Sequence, residues 1–163
     1  MTMRLIILAC LAVLGSTPAL AAGTVQVNFV NADRFTDIGR GVVERQRSLD
    51  RIAEHLRTFG LQLADGQTLT VDVTDVDLAG ELRFMRHIHE LRVLKGGVDW
   101  PRIALRWSLA GSDGKALKSG DEQLKDMAYL MRTPRRAHSD AMAYDLRLLD
   151  EWFAARFGAA APN

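Results

Sequence analysis

The sequence predicts an α+β fold of two layers, a mainly antiparallel sheet with helices packed on one face. Three observations lead there. Several short segments alternate apolar with polar residues, as strands with one wet face do. Two longer segments repeat apolar residues at helical spacing, and Gly/Asp/Ser turn signals separate the two kinds of segment.

Thr24 to Val30 alternates, with Val25, Val27 and Phe29 on one side and Gln26 and Asn28 on the other, and Asn31-Ala32-Asp33 ends the strand. From about Val42 to Leu61, Leu49, Ile52, Ala53, Leu56 and Phe59 form a helical stripe with arginines on the polar side, and Gly60 fits the helix end. After the turn Ala64-Asp65-Gly66, a second strand places Leu69, Val71 and Val73 on one face. Glu81 to Val98 fits two patterns: His87, His89, Leu91 and Val93 suit a strand, whereas Phe84, Ile88 and Leu91 suit a helix; the expectation is helix early and strand late. In Arg102 to Leu109, Ile103, Leu105, Trp107 and Leu109 share a face. Gly111-Ser112-Asp113-Gly114 then turns the chain into a return strand, Lys115 to Leu124, a β-hairpin. Ser139 is placed to cap a last helix whose Met142, Leu146, Leu149, Phe153 and Phe157 form the lid on the sheet, flanked by Tyr144, Leu148 and Trp152 and ended by Gly158. The sheet face turned away from the helices carries Gln26, Asn28, Thr70, Asp72, Thr74, Arg102 and Arg106, polar enough to meet water or a partner.

Residues 1–21 read as an export signal: Arg4, then the apolar run Ile6 to Leu14, a break at Gly15 to Pro18, and small residues in Ala19-Leu20-Ala21. That run is shorter than the roughly 20 residues a bilayer span requires, and no later segment approaches that length, so no transmembrane segment is expected after signal removal. Cys10 lies within the apolar run, with too little chain before it for a lipoprotein signal, and is expected to leave with the signal. Residues 22–163 then form one α+β domain without cysteine, outside the cytoplasm, with 158–163 and the surroundings of Gly23 as its disordered pieces. Losing Arg4 from 21 basic residues leaves 20 against 20 acidic ones, a balance that gives no electrostatic case for nucleic acid.

Several pieces resemble the bacterial domain of unknown function 3016: Val27 to Val30 with Phe35-Thr36-Asp37, the run Thr74-Asp75-Val76-Asp77-Leu78-Ala79-Gly80-Glu81, Arg92-Val93-Leu94, and Pro101-Arg102-Ile103. Ser119-Gly120, Leu124, Asp126, Leu149, Trp152 and Phe153 extend the resemblance over nearly the whole exported chain. It implies a small periplasmic protein of a Gram-negative bacterium and transfers no catalytic or ligand residues.

The residues themselves offer few chemical constellations. There is no nucleophile elbow, phosphate-cradling glycine loop or His-Glu-x-x-His helix, and no motif calls for a cofactor. His87 and His89 would share one side of a strand and could reach a metal with Asp75 or Asp77, but would diverge by roughly 200° on a helix, and Arg83, Arg86 and Arg92 surround them. His55 reads as a rim or surface residue of the first helix. Arg132, Arg135 and Arg136 form the densest positive charge, suited to a phosphate, a lipid headgroup or an acidic partner, and Arg102 and Arg106 add to the polar sheet face.

Asp75 and Asp77 pose a parity problem. Odd numbers face the core at Leu69, Val71 and Val73, so an uninterrupted strand would bury both carboxylates. A bulge or strand end near Thr74 is therefore expected, followed by a turn in which a carboxylate accepts backbone N–H bonds, Gly80 takes a positive φ, and Arg92 or Arg102 pairs with the other. Asp75, Asp77, Gly80 and Glu81 thus read as a motif of structural role. The functional expectation is a non-catalytic envelope protein that binds a protein, glycan or lipid component through the polar face or the Arg132 to Arg136 loop. The alternative is a metal-binding or hydrolytic protein using His87, His89, Asp75 and Asp77.

Overall fold

The computed structural model describes residues 22–85, 88–132, 134 and 140–158. The elements, in chain order, are β1 (Thr24–Phe29), α1 (Val42–Thr58), β2 (Thr68–Asp77), β3 (Glu81–Met85), β4 (Ile88–Val93), β5 (Arg102–Ala110), β6 (Ala116–Lys125) and α2 (Ala143–Phe157). A four-stranded sheet has the order β1-β2-β5-β6, and β3 and β4 pair separately. β1 and β2 are parallel, with Val25 opposite Leu69 and Val27 opposite Val71; the remaining pairs of the large sheet are antiparallel. Parallel neighbours need a crossover, and α1 supplies it.

Both helices pack on one face of this sheet. Ile52, Leu56, Leu69, Val71, Val73 and Leu149 have no exposed surface, and Phe59 stacks on Phe153 with ring centroids 4.3 Å apart. Trp107 from β5 meets Trp152 and Phe157 edge-on, at 6.5 and 5.0 Å, so the last helix does close the core. Gly120 on β6 makes room for that indole: a Cβ there would lie 3.0 Å from the Trp107 ring nitrogen.

Three local expectations are corrected. The start of the Glu81 to Val98 stretch is strand, not helix: β3 and β4 form a hairpin, with Glu81 opposite Val93 and Leu82 opposite Arg92. The helical spacing of its apolar residues is overridden by cross-strand pairing. Secondly, Gly23 is packed tightly rather than loose. A Cβ on Gly60 would approach the Gly23 carbonyl oxygen to 2.5 Å, and one on Gly23 would come within 2.4 Å of Leu63 Cβ. Gly60 therefore permits a close backbone approach, while α1 ends at Thr58 and the chain continues in a 3-10 turn over Phe59–Gln62. Thirdly, α2 begins at Ala143, later than a Ser139 cap requires; Asp140 Oδ1 accepts the Met142 N–H at 3.0 Å. His55 lies at the rim, as expected, its side chain 15% accessible and its Nε2 2.7 Å from Asp150 Oδ1 on α2. Residues 1–21, Ser139 and the tail 159–163 lie outside the described residues.

Candidate functional site

The Asp75 to Glu81 run meets Phe35-Thr36-Asp37 and Arg92 at one corner of the molecule. The β2–β5 register shifts between Val73 and Asp75, so Thr74 is the extra residue of a bulge. Parity is thereby reset: Val76 takes the fully buried position, and Asp75 and Asp77 fall on the other side, opposite Ala104 and Arg102. Asp75 accepts the Thr36 backbone N–H at 2.7 Å and its hydroxyl at 2.8 Å. Asp77 accepts from Arg102 Nε at 2.9 Å. Arg102 also lies 5.6 Å from the Trp100 ring centre, so its charge has local partners.

Asp37 forms a short parallel bridge to Asp77, donating its N–H to Val76 at 2.9 Å and accepting that of Leu78 at 3.0 Å. Its carboxylate takes both terminal nitrogens of Arg92, at 2.9 and 3.2 Å, and the Gly39 N–H at 3.1 Å. Arg92 Nη1 also reaches the carbonyl oxygens of Leu78 at 3.3 Å and Gly80 at 3.0 Å. Gly80 has φ +84°, and a Cβ there would strike the Val93 carbonyl oxygen at 2.8 Å; both facts restrict the position to glycine. Glu81 pairs with Lys95 and lies 3.4 Å from Arg83, and the Lys95 ammonium holds its carboxyl below the usual glutamate range. The carboxylates of this run thus all have partners within the protein. No group of three or more His, Cys, Asp or Glu that could hold a metal occurs among the described residues; His87 and the side chain of His89 lie outside them.

Of the basic loop, Arg132 is described, and Arg135 and Arg136 lie outside the described residues. Arg132 sits 3.2 Å from Glu151 and 3.6 Å from Asp126, while Arg147 on α2 donates to the buried Asp126 at 2.5 Å. Carboxylates already meet this part of the loop.

The outer face of the large sheet is different. Gln26, Asn28, Arg106, Ser108, Ser119 and Asp121 are exposed there, and a shallow depression of about 370 Å³ runs over Thr70, Asp72, Arg106, Ser108, Ser119 and Asp121. Asn28 donates to Asp72 at 2.8 Å. Arg106 stands between Asp72 and Asp121 in the strand register yet forms no ion pair within 4.0 Å among the described residues.

One residue escaped the sequence reading. Asp145 on α2 is 1% exposed and accepts the Ala79 N–H at 2.9 Å through Oδ1, while its Oδ2 is buried without a partner. Burial, reinforced by the Asp140 charge, raises its carboxyl to about 7. The signal was present: Asp145, Leu149 and Trp152 follow i, i+4, i+7 spacing, which puts a carboxylate on the inward side of the helix.

Among the described residues, no helix is long and apolar enough to cross a membrane. No curated protein matches the sequence. A family model described as protein of unknown function (DUF3016) matches residues 23–155, from just before β1 to the last turns of α2.

Proposed function

The chain belongs to the DUF3016 family of proteins of unknown function, and from that premise we propose that it is a non-catalytic cell-envelope protein, exported to the periplasm, that binds an envelope component through the outer face of its four-stranded sheet. The observation that supports this reading is the contrast between that face and the two charge clusters singled out in the sequence, the Asp75 to Glu81 corner and the Arg132 loop. At the Asp75 to Glu81 corner and around Arg132, charges are matched by charges of the same chain. On the sheet face, Arg106 is exposed and unpaired among the described residues, flanked by the hydroxyls of Thr70, Ser108 and Ser119. Arg offers a fork of donors to a carboxylate or phosphate, and hydroxyls on a rigid sheet add hydrogen bonds at fixed spacing. Export rests on the signal pattern of residues 1–21. The test is photo-crosslinking in intact cells from a probe at Ser108, with mass spectrometry of the adduct and of the amino terminus of the captured protein. The expected terminus is Ala22 or its neighbour; an acylated Cys10 contradicts the soluble, exported reading.

A further inference from the structure

A second recess lies on the helix side of the molecule, enclosed by the first half of α1, the β3–β4 hairpin and the start of α2. Its volume is about 460 Å³, and Leu78, Leu82, Leu91 and Met142 give it an apolar wall. Asp145 lines it, 1% exposed, with one carboxylate oxygen bonded to the Ala79 N–H and the other without a partner. A buried, unpaired carboxylate oxygen is costly, and in a recess roomy enough for several heavy atoms it marks the place where a donor from a ligand would sit.

The remaining charges narrow that ligand. Arg51 is taken by Asp140, and Arg92 by Asp37. Glu44 and Arg47, one turn apart on α1, also line the recess, and neither forms an ion pair with a described residue. The recess therefore offers two acidic groups and one basic group to an incoming molecule, beside an apolar wall. We propose that this recess binds a small zwitterion of the amino-acid or short-peptide class, its ammonium group on Asp145 Oδ2 and Glu44, its carboxylate on Arg47, and an apolar side chain against Leu78, Leu82, Leu91 and Met142. This inference stands apart from the sheet-face reading, because the two surfaces lie on opposite sides of the sheet.

Proton linkage supplies a second readout. The groups facing Asp145 are Arg92 from β4, Asp140 ahead of α2, and Glu44, Arg47 and Arg51 from α1. Burial raises the carboxyl to about 7. An ammonium placed on it favours the ionised form, so binding near neutral pH releases a proton to the buffer.

The experiment is calorimetric titration of the full exported protein with leucine and with leucylglycine, and with two fragments, 4-methylpentanoate and isopentylamine, that each lack one charged group. Expected are saturable binding of at least one zwitterion, weaker binding of both fragments, and a heat that changes with the ionisation enthalpy of the buffer. Asp145→Asn, which keeps an oxygen for the Ala79 N–H, should weaken the zwitterion about tenfold or more and abolish the buffer dependence. Arg47→Ala, at an exposed helix position, should weaken it with unchanged thermal stability, and so tests the site even if Asp145→Asn folds poorly. Binding of neither zwitterion at millimolar concentration overturns the proposal, as does binding unchanged by both substitutions or binding equalled by either fragment.

Discussion

Arg92 on β4 and Asp37 in the loop before α1 form a two-pronged ion pair, with nitrogen–oxygen distances of 2.9 and 3.2 Å, although 55 positions separate them in the chain. The same guanidinium caps the carbonyl oxygens that leave β2 at Leu78 and Gly80. One side chain thus ties together the three segments that sequence resemblance singles out around Asp37, the Asp75 to Glu81 run and Arg92.

That arrangement sets the first prediction. Arg92→Ala leaves a partly buried carboxylate and several carbonyls short of a donor, and should cost about 2–4 kcal/mol in chemical denaturation. Arg92→Lys should recover little of it, because an ammonium cannot make the two-pronged contact and reach the carbonyls at the same time. Full recovery by Lys would mean that charge alone, and not the planar fork, holds the corner.

Asp75 and Asp77 differ in their surroundings and should differ in cost. Asp75→Asn disturbs two bonds to Thr36 and should lower stability by about 1 kcal/mol or somewhat more. Asp77→Asn weakens a pair whose Arg102 is 47% exposed, and should cost about 1 kcal/mol or less. Metal content, measured by plasma emission on untagged protein, should stay unchanged in both. Loss of a bound ion without loss of stability would return these carboxylates to a functional role.

Phe153, 2% exposed and stacked on Phe59, anchors the last helix. Phe153→Ala should cost about 3–5 kcal/mol and leave little soluble protein. His55→Ala removes an edge contact to Phe59 at 5.3 Å and the bridge to Asp150, and should cost about 1 kcal/mol. Equal urea midpoints for the two variants would contradict the position of α2 over the core.

Asp145 gives a pH dependence of defined sign. Its folded carboxyl, raised by burial to about 7 from an ordinary 3.8, binds a proton more tightly than in the unfolded chain. Its contribution to stability is therefore complete below about pH 4 and is lost as pH rises toward about 7, at most about 4 kcal/mol over that window. Glu122, held below its usual range by Arg156, pulls in the opposite direction at the acid end. Asp145→Asn should flatten the decline in melting temperature between about pH 4 and about pH 7. An unchanged profile would mean that Asp145 remains ionised when buried.

What the sequence made legible follows from the range of each signal. Alternation and helical spacing are local, and they place β1, β2, β5, β6 and both helices near their observed positions. Parity along β2 even required the break at Thr74, because Val73 and Asp75 cannot both face the core. The β3–β4 hairpin was not legible, since Phe84, Ile88 and Leu91 fit a helix and His89, Leu91 and Val93 fit a strand equally well. Nor was the choice of partners, as Arg92 selects Asp37 while Arg102 takes Asp77. Such pairings depend on which loops the fold brings together. Asp145 is half of such a case: its spacing with Leu149 and Trp152 marks an inward position, but its partner, the Ala79 N–H, depends on the fold.

The central claim, that the outer face of the sheet is the binding surface, is tested most directly by comparing crosslinks in intact cells from probes at Ser108 and at Asp50, an exposed position on the opposite, helical side. Expected are one discrete adduct from Ser108, none of the same mass from Asp50, and loss of the Ser108 adduct in an Arg106→Gln variant, which removes the charge without setting a third carboxylate beside Asp72 and Asp121. Identical adducts from both positions, or a Ser108 adduct indifferent to Arg106→Gln, would contradict it.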